Sequence, residues 1–164
     1  MMQDYGPELK AAFSTTSIIG YCTSLSVIVY GLIAHFLLSR YPLGDAPAPN
    51  ASLLLRWVGG AGVALFLGLA GLRPLVLRLN RPVETTSTAL IRQLQTTAMV
   101  VYGGCESISI FGLVAAIVTR EMHNYYWLAF LSLAAFSAYF PKYDVWERHM
   151  QDALYGPEYG APEG

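Results

Sequence analysis

With 164 residues, 54% hydrophobic and 13% charged, and a mean hydropathy of +0.42, the chain carries more apolar surface than one soluble domain of this length can bury. Its formal net charge of -1, with no arginine-rich helix and no aromatic-plus-basic groove, excludes a nucleic-acid binder. Cys22 and Cys105 sit inside apolar segments and form no CxxC, so they read as small packing residues and not as a disulfide or thiolate metal site.

The N-terminal stretch MMQDYGPELK holds two acids and one lysine, unlike the basic start of a cleaved signal peptide, and Tyr21 before Cys22 does not fit a lipoprotein cleavage site. The first apolar run is therefore expected to stay in the protein as a span over 17–38. The segment RYPLGDAPAPNAS, with three prolines and a glycine, reads as a turn-rich connection. A second span is expected over 53–72, followed by a basic connection with Arg73, Arg78, Arg81 and Arg92. The third span is expected over 97–119 and a short fourth over 125–140, anchored by Tyr125, Tyr126 and Trp127 at one end and Tyr139, Tyr143 and Trp146 at the other. The remainder, 147–164, reads as a flexible tail or a docking strand for a partner.

This pattern predicts an all-α integral membrane protein of four transmembrane helices in a single domain. Lys10, the four arginines of the basic connection, Lys142 and Arg148 fall on one side, against Arg40, Arg56 and Arg120 on the other. The bias places both termini in the cytoplasm, as in a bacterial inner membrane protein.

Shifting the sequence so that Thr15 falls on Thr96 exposes a repeat. TTSIIGYCTSLSVIVYGLIA then lies on TTAMVVYGGCESISIFGLVA, and Thr15, Thr16, Tyr21, Ser26, Gly31, Leu32 and Ala34 meet identical residues. Two duplicated helical hairpins are the expected organisation. Membrane helices also resemble one another through their shared alphabet, but the matched polar and glycine positions favour duplication. Glu106 then falls on Leu25, so the carboxylate belongs to the second copy alone.

The segment ESISIFGLVAAI resembles the carboxylate-bearing helix of the subunit c proteolipids of rotary ATP synthases. Glu106 matches the ion-binding carboxylate, Phe111 the aromatic, and Gly112, Leu113 and Val114 the run that follows. The span with Gly59, Gly60, Gly62, Gly68 and Gly71 is similar to the glycine-rich partner helix, and the basic connection resembles the cytoplasmic loop. A four-span chain with one carboxylate after a duplication also resembles the vacuolar type of proteolipid. The resemblance covers about a third of the chain, and each repeat here begins with the aromatic-Gly-Leu helix, whereas a proteolipid hairpin begins with the glycine-rich one. It implies a proton-binding helix bundle that self-associates, a relative or mimic of the proteolipid and not necessarily a rotor subunit.

Nine residues of helix put Glu106 roughly 14 Å beyond Thr97, near the middle of the hydrocarbon. A charged acid there costs at least ~2.5 kcal/mol, so the side chain is expected to be protonated, hydrogen-bonded or turned into the bundle. Tyr102 and Ser109 share its helix face, and Thr23, Ser24 and Ser26 lie at comparable depth on the first span. Ser107 resembles the serine after the glutamate in sodium-binding proteolipids, but Ile108 follows it and the second span has no glutamine at matching depth, which favours a proton. The expected ion-binding set is Glu106, Tyr102, Ser107 and Ser109. Gly31 and Gly112 join the five glycines of the second span as packing positions that admit close helix approach.

His35 and His123 fall on the same expected side and could share a haem or metal, with Tyr126 and Trp127 lining a quinone cleft, but single histidines at helix ends are more often interfacial. No cofactor, metal site or catalytic set is expected, because HExxH, phosphate-loop and nucleophile-elbow patterns are absent. Two functions remain. One is an oligomeric, proteolipid-like protein with Glu106 as its reversible proton site. The other is a non-catalytic accessory subunit of a respiratory, photosynthetic or secretion complex, with Glu106 as interhelical glue. A channel or transporter ranks behind both, since broken midplane helices are not signalled.

Overall fold

The computed structural model describes residues 6–40, 50–82 and 86–156. Among these the regular structure is helical: α1 (Gly6–Arg40), α2 (Ala51–Leu79), α3 (Ser87–Thr119), α4 (Met122–Tyr139) and α5 (Tyr143–Tyr155). Three of them, α1, α2 and α3, are long and apolar enough to cross a membrane.

These three helices outrun the expected spans because hydropathy marks where a chain meets lipid, not where its backbone stops being helical. α1 starts at Gly6, with Glu8 in its first turn complementing the helix dipole. α3 starts at Ser87, capped by Thr86, whose hydroxyl accepts from the Ala89 N–H at 3.3 Å. The first turns of α3 are amphipathic, burying Leu90, Ile91 and Leu94 while Arg92 stays exposed.

α2 runs through Pro74, which removes one backbone donor, and ends only at Leu79, where the Asn80 N–H bonds the Val76 carbonyl at 3.0 Å. The expected basic loop after residue 72 is therefore mostly helix. Only 80–86 separate α2 from α3, and Gln93 closes the corner by donating to the Leu77 carbonyl at 2.6 Å.

α3 is the central helix, packed by α1, α2 and α4 together. The buried residues of α1 are Leu9, Thr16, Gly20, Val27 and Ala34, and under the Thr15-to-Thr96 shift each falls on a buried residue of α3: Leu90, Thr97, Val101, Ile108 and Ala115. Thr16 and Thr97 also behave alike, each donating at 2.8 Å to the carbonyl four residues earlier. The two helices thus bury the same stripe of sequence.

α4 joins α3 through a tight corner in which Arg120 adopts a left-handed conformation (φ 62) and Asn124 donates to Thr119 Oγ1 at 2.8 Å. Its buried face is fixed by polar contacts as well as apolar ones. Ser132 donates to the Cys105 carbonyl at 2.7 Å, and the Tyr125 hydroxyl donates to the Val27 carbonyl of α1.

Part of the region expected as a flexible tail is helix. In α5, Trp146 and Met150, four residues apart, form a buried stripe, and Phe13 of α1 meets Tyr143 and Trp146 edge-on at 5.4 and 5.5 Å. The charged residues of α5 lower its mean hydropathy and conceal this stripe from a reading keyed to apolar runs. Residues 157–164 lie outside the described residues.

Candidate functional site

Glu106 lies partly buried on the side of α3 that meets α1. Two hydroxyls from α1 converge on one of its oxygens: Tyr30 donates to Oε1 at 2.7 Å and Ser26 at 2.9 Å. These residues are four apart on α1, one helical turn, so the helix itself sets them at adjoining heights on one face. Among the described residues no cation pairs with the carboxyl. Its polar environment is built from neutral hydroxyls.

Ser26 also lies 2.6 Å from the Thr23 carbonyl. A serine hydroxyl has one proton and can also accept, so this contact set accommodates either state of the acid. With the carboxylate ionised, Ser26 and Tyr30 both donate to Oε1. With it protonated on Oε1, Tyr30 still donates, the acid donates to Ser26 Oγ, and Ser26 gives its own proton to the Thr23 carbonyl. No side chain has to leave its place for the proton to come or go.

The other members of the expected set do not reach the carboxyl. Ser107 donates to the Gly103 carbonyl at 2.7 Å, and Ser109 to the backbone carbonyl of Glu106 at 2.8 Å. Short hydroxyls inside a helix have their own preceding turn within reach, and that contact takes them here. Thr23 and Ser24 are likewise engaged by the carbonyls of Ile19 and Tyr21 at 2.8 Å. Tyr102 is long enough to reach past its own helix. Its ring packs into the gap left by Gly20, with Phe136 and Phe140 at 6.1 Å, and its buried hydroxyl has no partner among the described residues. Tyr30 was missed by a search of α3's face, yet a repeat alignment pairs it with Phe111, which marks it as the polar member of an aromatic pair at the carboxylate's level.

The glycines divide into two groups. A Cβ at Gly31 would lie 2.9 Å from the Tyr125 ring, at Gly62 2.8 Å from Leu128, and at Gly112 3.0 Å from Leu128 and 3.3 Å from the Tyr125 carbonyl. One glycine from each of α1, α2 and α3 therefore makes room for α4: Gly31 for Tyr125, Gly62 for Leu128 and Gly112 for both. Among the described residues, a Cβ at Gly59, Gly60, Gly68 or Gly71 would meet nothing within 4 Å.

His123 accepts from Trp127 Nε1 at 2.6 Å, and together with Tyr126 and Phe130 these residues border an open recess of about 270 Å³. His35 is exposed on α1. Among the described residues no group of three or more His, Cys, Asp or Glu side chains is placed to hold a metal ion.

The fold and the site define an all-helical chain with three helices able to cross a membrane and a carboxyl held between two of them. Comparison with family models, with curated proteins and with solved structures returned no match.

Proposed function

We propose that the chain is a four-span membrane protein, without catalytic activity, in which Glu106 reversibly binds a proton between α1 and α3. The observation that carries this reading is the convergence of Ser26 and Tyr30 on Oε1. These hydroxyls can serve both the ionised and the protonated acid, which is compatible with a proton that comes and goes. α4, with 18 residues, is about 27 Å long and approaches the hydrocarbon thickness as the fourth span. The charge bias along the sequence supports termini in the cytoplasm of a bacterial inner membrane. The matched buried stripes of α1 and α3 accord with a repeat of that one helix, and the likeness of ESISIFGLVAAI to the proteolipid carboxylate helix is what suggests proton chemistry at Glu106.

A second reading, an accessory subunit of a larger membrane complex, draws on the exposed Gly60, Gly68 and Gly71 of α2, where another helix can approach closely. The same positions would serve self-association.

Carbodiimide labelling of native membranes, with the modified residue mapped by mass spectrometry, separates the two. A proton site reacts at Glu106 in the intact membrane, with labelling that falls as pH rises and disappears in Glu106→Gln. Labelling that appears only after detergent dismantles the particle would defeat the proton-site reading and leave the carboxyl as a contact shielded by a partner.

A further inference from the structure

The corner where α2 ends, α3 begins and α5 packs contains a groove of about 770 Å³. Arg78 and Arg81 line it, with Gln93, His149 and Asp152, and Leu77, Leu90 and Ala153 supply apolar wall. A second groove of about 510 Å³ adjoins it, sharing Arg81, Pro82 and Gln93 and adding Arg92 and the Thr86 cap of α3. Neither Arg78, Arg81 nor Arg92 has an ion-pair partner among the described residues. Among the described residues Asp152 is the one acid lining either groove, so the guanidiniums outnumber it, and an excess of guanidinium is matched to an anion.

We propose that this corner binds the phosphodiester headgroup of an anionic phospholipid of the surrounding bilayer. Three features select that ligand. The groove lies at the end of a helix long and apolar enough to cross the membrane, which is the level of lipid phosphates. Its wall mixes guanidinium with leucine and alanine, as suits a headgroup continuing into a glycerol backbone. Its charge also fits. Burial lowers the His149 pKa and favours the neutral ring. Arg78, Arg81 and Arg92 then outnumber Asp152 among the described residues lining the two grooves, an excess of positive charge that favours an anionic over a zwitterionic headgroup.

The test is native mass spectrometry of the full chain in detergent, titrated separately with dioleoyl phosphatidylglycerol, dioleoyl phosphatidylcholine and inorganic phosphate. Phosphatidylglycerol is expected to stay bound where phosphatidylcholine is lost, and millimolar inorganic phosphate should not displace it. Replacing Arg78 and Arg81 together by Gln should weaken retention about thirtyfold, at about fivefold per arginine. Arg56→Gln, at the other end of α2, should not. Asp152→Asn should tighten retention, an arm that does not depend on the double variant folding normally. Equal retention of the two lipids, or an unchanged double variant, would overturn the proposal. Displacement by inorganic phosphate would make it a site for a soluble anion instead.

Discussion

Removing the donors to Glu106 one at a time and then together probes whether the contact between α1 and α3 carries energy. In Tyr30→Phe the 2.7 Å bond is lost but Ser26 still satisfies Oε1, and in Ser26→Ala the reverse holds. Each single change should therefore cost no more than a typical intramembrane hydrogen bond, about 0.6 kcal/mol. With both gone the partly buried oxygen has no donor, and the penalty for an unsatisfied polar group, roughly 1–3 kcal/mol, appears at once. The double variant should exceed the sum of the singles by about 1 kcal/mol, a coupling readable in a double-mutant cycle. The assay is reversible unfolding in mixed micelles under increasing SDS, followed by far-UV circular dichroism. Repeating Tyr30→Phe in a Glu106→Leu background supplies the control, since the phenol there has no carboxyl to serve. If Tyr30→Phe costs as much in that background as in the native chain, or if the singles simply add, the reasoning fails.

Tyr102→Phe removes a buried hydroxyl that has no partner, so it should leave stability unchanged or raise it by up to about 1 kcal/mol in the same unfolding assay; a clear loss would mean the hydroxyl is satisfied in solution. Gly112→Ala should cost about 1–3 kcal/mol because the new methyl meets both Leu128 and the Tyr125 carbonyl, a backbone atom that cannot step aside, whereas Gly68→Ala should gain up to about 1 kcal/mol from helix propensity. Equal effects of the two substitutions would contradict the division of the glycines. Burial holds the His149 pKa below the ordinary 6.5, Asp152 raising it and Arg73 lowering it in smaller measure. The unfolded chain therefore binds that proton more readily, so the docking of α5 is at full strength above about pH 6.5 and weakens as pH falls below it. With Trp57 and Trp127 replaced by Phe, the emission of buried Trp146 should shift to the red on acidification from pH 7.5 to 5; a fixed emission would refute the coupling.

Much of this arrangement was legible in the chain itself. Apolar runs separated by charge located α1, α2 and α3, because exclusion of charge from lipid leaves a signal tens of residues long. The helix ends and α5 were not legible, since Arg92 beside Leu90 and Leu94, or Arg148 between Trp146 and Met150, lowers an averaged hydropathy while leaving amphipathic periodicity intact. Glu106 stood out as a lone acid in an apolar segment, and Ser26 was within the depth assigned to its partners. Tyr102 and Ser109 were drawn to the carboxyl by helix periodicity alone. Periodicity gives a shared face but not side-chain reach: the serine is captured by its own preceding turn, and the tyrosine extends to Gly20.

The same periodicity explains why α3 can house the carboxyl and α1, at the matched position, cannot. Leu25, the counterpart of Glu106, is 57% exposed on the outer helix α1, whereas Glu106 is turned from the central helix toward a neighbour. An acid at position 25 would stand on the outward surface, where the bilayer offers no donor and the cost of a charge is ~2.5–3.5 kcal/mol. At position 106 the neighbour supplies two hydroxyls, and both come from α1: Ser26, which falls on Ser107 under the Thr15-to-Thr96 shift, and Tyr30, which falls on Phe111. The phenol is useful only on the helix that faces the acid, and the acid only on the helix that is faced. A carboxyl served in this way keeps its two donors only while α1 and α3 stay in contact.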